Sequence, residues 1–397
     1  MKKPYQLNIL RDRVAFSLFV LLIYILGSSI PLPFVRMTEM YRNMLAKTPI
    51  GLMSFMGGAN LQTLSLFSVG LNPLMIAMMI VQLMSMTKLF WTDSLSQHQT
   101  MIVQQWLMLI LATVQAIAIT LTFHLTANYR QATAVVIILV AGSMLVVWLG
   151  FMNMQFGIGG TMTLILFNMI SGSIQPLVRS IKRMQVIPHA EVWLAMLILV
   201  GLVEIIFWVG FNRAYYRASM IDVTLKSSVK PLAFPIALNL GGMMTYMMGM
   251  AILTLPMILA QTTSWREKIN DWHFQVVFCM VVTFLLFYFF AYLQLNPKDQ
   301  AKELRNKNNY ILDVRPGKPT SRFIRNHLLW LSLPGALLNG AQLTLGLVGS
   351  QFLGRYTAFA LIPLDVVMIV MFMNLIKDQL LVLVIPHRYE KLMKKEG

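Results

Sequence analysis

An all-α membrane protein is the fold class this sequence predicts, with ten transmembrane helices divided into two five-helix halves. Three observations predict it. The chain is 57% hydrophobic and only 12% charged, with mean hydropathy +0.67, against roughly 25% charged in soluble domains. Apolar runs near the length needed to cross a bilayer, about 20 residues, recur ten times along the 397 residues. None of the 32 Lys and Arg residues has to be placed inside one of those runs. Such a chain has lipid as its main solvent, and each run must satisfy its own backbone polar groups as a helix.

The runs fall near 14–33, 70–87, 103–126, 133–152, 161–178, 191–212, 233–260, 274–295, 327–350 and 358–376. The first follows Lys2, Lys3, Arg11 and Arg13, as a signal peptide would, yet it continues through Leu32 and is followed by further spans. It therefore reads as a retained helix. Helices one to five occupy residues 1–187 and helices six to ten residues 188–397.

With the N-terminus in the cytosol, 22 of the 32 Lys and Arg residues fall on the cytosolic side. The large groups are Arg213, Arg217, Lys226 and Lys230 after helix six, eight residues in 296–326, and five in the tail, among them Arg388, Lys394 and Lys395. This bias satisfies the positive-inside rule and places both termini in the cytosol of a plasma-membrane protein. Each half has an odd number of spans, so the second enters the membrane opposite to the first. An inverted repeat is geometrically available, although the halves share no visible sequence symmetry.

The net charge of +17 is spread over many connectors rather than gathered on one stripe, which fits anchoring beside membrane lipids and argues against nucleic acid. A lone cysteine, Cys279, excludes an intrachain disulfide and a cysteine-based metal site. The six histidines, His98, His124, His189, His273, His327 and His387, are isolated, so no zinc-enzyme motif is present. Gly157-Ile-Gly-Gly160 lacks the Lys-Ser/Thr of a phosphate loop and reads as a tight turn before a helix. No cofactor is implied, and an intramembrane peptidase is a weak alternative.

Two connectors stand out. Residues 34–69 contain the apolar stretch Ile50-Gly-Leu-Met-Ser-Phe-Met-Gly-Gly58, too short to span. One reading is a re-entrant segment plugging a pore mouth, sheltered from lipid by protein or water; the other is an amphipathic helix on the outer surface. The second connector, 296–326, is polar and basic and includes Arg315-Pro-Gly-Lys-Pro-Thr320. Asn296 and Pro297 suit the N-cap and first position of a short helix through Leu304. With the 213–232 connector it forms a basic cytosolic face, a candidate for partner docking or simply a topology determinant.

Glu204 and Asp365 lie within predicted spans, where a carboxylate costs about 2.5 to 3.5 kcal/mol at the helix centre. Ion coupling in a secondary transporter and plain interhelical hydrogen bonding both fit them. The 32 methionines crowd stretches such as Met75-Ile-Ala-Met-Met79 and Met243-Met-Thr-Tyr-Met-Met-Gly-Met250. Being unbranched and polarisable, they suit lipid-facing packing or a soft constriction.

Several of these stretches resemble the SecY family of protein-conducting channels. They are Gly27-Ser-Ser-Ile-Pro-Leu-Pro33, Gly57-Gly-Ala-Asn-Leu-Gln-Thr-Leu-Ser-Leu-Phe-Ser-Val-Gly-Leu-Asn-Pro73, Gly157-Ile-Gly, Asn239, Gly242 and Pro256, the 296–320 loop and Tyr389-Glu390. Their order and spacing run through nearly the whole chain. Departures at Gly160-Thr161 and Met244-Thr245, with the methionine-rich interior, resemble the accessory branch of Gram-positive bacteria more than the housekeeping channel.

The resemblance implies two inverted halves around a central pore and no enzymatic activity. It also implies a SecA-type motor ATPase, small accessory Sec membrane subunits, and an exported preprotein, a large serine-rich glycosylated adhesin, as partners. Carried over by position, it implies a pore ring of Leu71, Met75, Leu166, Ile170, Met247 and Met368. A plug would include Ile50, Met53, Phe55, Met56, Gly57 and Gly58, and motor docking would use Arg213, Arg217, Arg315, Gly317 and Lys318. An apolar neck of this kind holds back ions by dewetting.

Overall fold

The computed structural model describes residues 3–35, 64–86, 96–122, 128–185, 189–222, 232–259, 271–352 and 357–384. Its helices are α1 (Lys3–Ser29), α2 (Asn72–Met86), α3 (Gln97–Thr122), α4 (Tyr129–Phe156), α5 (Gly160–Met184), α6 (Ala190–Asn212), α7 (Gly242–Leu259), α8 (Trp272–Gln294), α9 (Pro297–Asn306), α10 (Lys318–Phe352) and α11 (Thr357–Val384). Each of the ten apolar runs overlaps one of these helices, and among the described residues α9 is the extra one. By length and composition, seven of the described helices can cross a membrane. In α2 the apolar helix is only 15 residues long.

The all-α expectation needs a correction, because three strands accompany the helices: β1 (Tyr215–Asp222), β2 (Leu232–Ala237) and β3 (Asn309–Ile311). They form an antiparallel sheet in the order β2-β1-β3. The expected seventh span, 233–260, therefore starts too early: its first residues are β2, and the helix begins at Gly242. Hydropathy cannot separate a strand buried in a small core from the end of a membrane helix.

The chain divides into two compact units, one ending at Gln175 and rejoined by α11 from Phe372, the other running from Pro176 to Met371. In the first, Leu32, Leu64, Val69, Ala116, Val135 and Leu139 form a core that packs the segment before α2 against α3 and α4. Backbone bonds from Leu32 N–H to Leu64 O (3.0 Å) and Leu66 N–H to Ile30 O (3.1 Å) tie together the two ends of the long 34–69 connector. The interior of that connector, 36–63, lies outside the described residues.

The turn between α4 and α5 is knotted by polar side chains. Ser17 Oγ donates to Asn153 Oδ1 at 2.8 Å, and the Ile158 N–H donates back to Ser17 Oγ at 2.8 Å. Asn153 Nδ2 donates to the Ile158 and Gly160 carbonyls at 3.0 and 2.9 Å. Gln379 of α11 accepts from the Gly159 N–H at 3.0 Å. Four segments of the first unit thus meet at one buried turn.

In the second unit, Ile236, Phe287, Ala291, Leu328 and Ala336 bury the root of the sheet against α8 and α10. By contrast α6 leaves most of its apolar surface open, with Ile198, Leu199 and Ile206 all more than half exposed. For a helix this apolar all round, the solvent is lipid.

Candidate functional site

The two basic connectors, far apart in sequence, fold into one platform. Met220 pairs with Ile311 and Asp222 with Asn309 across β1 and β3, and the Leu312 N–H donates to Ser219 O at 3.0 Å. Period-2 alternation along β1 turns Ala218 and Met220 inward, while Arg217, Ser219 and Ile221 face out. Beneath the sheet, Ala218, Met220, Leu304, Ile311 and Ile324 make a small hydrophobic core of their own.

α9 forms as its local sequence predicts. Asn296 caps it by accepting from the Lys298 N–H at 3.2 Å, its Nδ2 donates to Asp299 at 2.9 Å, and Pro297 occupies the first turn. Pro297, Ala301 and Leu304 fall on one face and are buried, the i, i+4, i+7 spacing of a helix stripe. The remaining residues are polar, leaving Lys298, Lys302, Arg305 and Lys307 exposed.

All five residues singled out for docking are on this platform. Arg213 and Arg217 are exposed at the start of β1, and Arg217 lies over the Tyr215 ring at 4.8 Å, a cation–π contact. Arg315 and Lys318 are exposed at the turn into α10. Gly317 there takes φ +98°, a conformation that a side chain would strain. Thr320 Oγ1 donates to the Arg315 carbonyl at 2.9 Å, locking the turn. Across 213–222 and 296–326 stand ten Lys and Arg against four Asp and Glu, a surface suited to an acidic partner.

The residues assigned to the pore ring lie in both units. In the first, Leu71 and Met75 are buried at the start of α2 and share one helical turn, the Met75 N–H donating to Leu71 O at 3.0 Å. The segment before them rests on α4: Ser143 Oγ donates to the Gly70 carbonyl at 2.8 Å, and Leu66 O lies 2.1 Å from where a side chain on Gly142 would begin. Leu166 and Ile170 lie one turn apart on α5, half-buried and 38% exposed, while Leu164, Ile165, Asn168 and Met169 are turned inward. In the second unit, Met247 is half-buried on α7 and Met368 is fully buried on α11. The plug residues Ile50, Met53, Phe55, Met56, Gly57 and Gly58 lie outside the described residues.

Glu204 accepts a hydrogen bond from Gln342 of α10 within its own unit, which is interhelical bonding of the ordinary kind. Among the described residues, no group of three His, Cys, Asp or Glu side chains is gathered as a metal site. Sequence reasoning passed over Ser17, Asn153, Asn212 and Asn339. A polar side chain inside or at the end of an apolar run, where an unpaired amide is costly, is the signal that marks them.

Comparison with known proteins agrees with this architecture. The SecY family profile matches residues 65–379. The chain is 42% identical, over 99% of its length and 100% of the relative's, to the accessory Sec system protein translocase subunit SecY2 of Lactobacillus johnsonii. It is 32% identical to SecY2 of Streptococcus oralis over 81% of this chain and 83% of that one. Among solved structures, one described as the structure of a protein conducting channel superposes with a TM-score of 0.61 at 15% identity, covering 95% of this chain and 94% of the other. The chain belongs to the SecY family, as a channel subunit of the accessory Sec protein translocase, and is a multi-pass membrane protein with no enzymatic activity of its own.

Proposed function

We propose that the protein passes unfolded preproteins across the plasma membrane through a central pore between two inverted five-helix halves, driven by an accessory SecA-type motor on the basic platform. The cargo we assign is the class of large serine-rich glycosylated adhesins, and small accessory Sec membrane subunits complete the assembly. The observation that carries the motor assignment is the joining of 213–222 and 296–326 by the β1–β3 ladder, with its ten basic residues. Scattered loops would offer weak anchor points; a sheet with its own core offers a fixed, charged one. Co-purification from native membranes, with the bound ATPase and exported chain identified together, tests the assembly and its cargo.

Arg315→Glu is the direct test of docking. Charge reversal replaces attraction by repulsion at an exposed position, so motor association should slow and its salt dependence weaken. Binding is expected to fall several-fold while the channel inserts normally. Parental motor binding by this variant would remove Arg315 from the docking surface.

Ten spans with both termini in the cytosol make a further prediction. In a Cys279→Ser background, Ser96→Cys and Lys307→Cys should react with an impermeant maleimide only from the cytosol, and Asn128→Cys and Lys182→Cys only from outside. Cytosolic labelling at position 182 would sink this topology.

In the same reading, Leu71, Met75, Leu166, Ile170, Met247 and Met368 line the neck, and residues 50–60 plug its outer mouth. What supports the neck is the uniformly apolar character of the six side chains, since an apolar constriction sheds water and holds back ions. The unbranched methionines would yield to a passing chain.

A further inference from the structure

The platform is rooted in the second unit at two places: where α6 runs into β1, and where β2 runs into α7. An asparagine stands at each root, and a third reaches them from α10. Asn339 Nδ2 donates to Asn239 Oδ1 at 2.8 Å and to the Gly335 carbonyl at 2.6 Å. Asn239 Nδ2 donates in turn to Asn212 Oδ1 at 2.6 Å. Three carboxamides therefore form one directed chain, from α10 through the α7 root to the α6–β1 root.

The surroundings leave this chain little freedom. The Leu238 N–H donates to Ala214 O at 3.1 Å, extending the β1–β2 pairing into the turn. A Cβ on Gly335 would lie 2.6 Å from the Leu238 carbonyl oxygen, and one on Gly241 would lie 2.4 Å from the Phe287 carbonyl oxygen. The 238–242 turn is thus wedged between α8 and α10, its backbone in direct contact with both. Thr245 donates both its N–H (3.0 Å) and its Oγ1 (2.7 Å) to the Gly241 carbonyl, fastening the turn to the first turn of α7. Met247 follows two residues later.

The chain is costly if packing is all it does. Asn339 is fully buried, yet among the described residues its Oδ1 has no hydrogen-bond partner, and neither does the Nδ2 of Asn212 at the other end. Buried polar groups left open at both ends destabilise a fold, and apolar residues of the same size would avoid that. What the amides provide and apolar residues would not is directional linkage between the sheet roots and the start of α7.

We propose that Asn239, held between Asn212 and Asn339, is a positioning residue that transmits displacement of the cytosolic platform to α7, and so to the part of the neck that Met247 lines. This rests on the docking and neck reading above. A motor that pushes on the sheet moves both strand roots; the amide chain makes the first turn of α7 follow, where a severed chain would let the sheet move alone.

The test uses proteoliposomes containing the full channel, its accessory Sec partners, the SecA-type ATPase and a serine-rich preprotein. Asn212→Leu removes the acceptor at the platform end at similar volume; Asn212→Asp keeps the oxygen that Asn239 uses. The leucine variant is expected to bind the motor within twofold of the parent but to translocate at least tenfold more slowly. The aspartate variant should translocate within twofold of the parent. Where leucine prevents insertion, Asn212→Ala makes the same cut with less bulk. A leucine or alanine variant exporting at the parental rate overturns the proposal, as does an aspartate variant that inserts normally but exports as slowly as leucine. Arg315→Glu, assayed alongside, separates the two readings: parental motor binding there defeats the docking site, whereas parental export with intact docking in the Asn212 variants defeats the amide chain alone.

Discussion

Asn153→Leu is expected to cost the channel much of its folded yield, the largest stability effect of any single substitution considered. The side chain is 1% exposed and serves three partners at once: Ser17 Oγ and the carbonyls of Ile158 and Gly160. Leucine of similar size fills the space but takes the acceptor from the Ser17 hydroxyl and the amide donor from the Gly160 carbonyl, while the Ile158 carbonyl keeps Thr163. At roughly 1 to 3 kcal/mol for each polar group left unsatisfied, the loss is about 2 kcal/mol or more. Thr163→Val makes the contrast, because the Ile158 carbonyl that Thr163 Oγ1 reaches at 2.7 Å keeps Asn153 as a donor. That variant should lose about 1 kcal/mol or less. Thermal unfolding of detergent-purified protein checks both. Equal Tm values for the two would show that backbone geometry alone holds the α4–α5 turn.

The second large effect concerns ion leakage. Replacing Met75 and Met247 together by Ser puts two hydroxyls into the proposed neck, one from each half, where dewetting depends on an apolar lining. Resting ion conductance of purified channels in planar bilayers should rise several-fold. Export should survive, because a weaker seal also lowers the cost of opening. A photo-crosslinker at Met247 should capture a stalled preprotein, whereas one at Val281 or Leu285, exposed on the outer face of α8, should capture none. A double variant no leakier than the parent, together with silence at Met247, would return these methionines to ordinary packing.

The same residues show which features can be read from a linear sequence. Hydropathy marked a stretch of helix in every one of the ten runs, although α1 and α10 start well before theirs and α7 well inside its own, because a bilayer judges each segment by its own length and apolarity, without reference to its neighbours. The α9 helix was legible for a similar reason: Asn296 and Pro297 act on the backbone within one turn. The docking residues were chosen from charge and family resemblance, and the β1–β3 pairing joins the two connectors that carry them.

The amide chain was not legible, since Asn212, Asn239 and Asn339 each look like an isolated polar residue until the helices are packed. The sheet was hidden for the same reason. Leu232-Ala-Phe-Pro-Ile-Ala237 is apolar enough to begin a span, and only its pairing with Tyr215–Met220 makes it a strand. Sequence by itself determined that this is a helical membrane protein of the SecY family, with basic connectors between its helices, because insertion into lipid depends on local composition. Tertiary structure alone decided that two of those connectors become one platform and that three asparagines tie it to α7, because strand pairing and side-chain hydrogen bonds join residues 27 to 100 positions apart and depend on register and distance, which hydropathy does not encode.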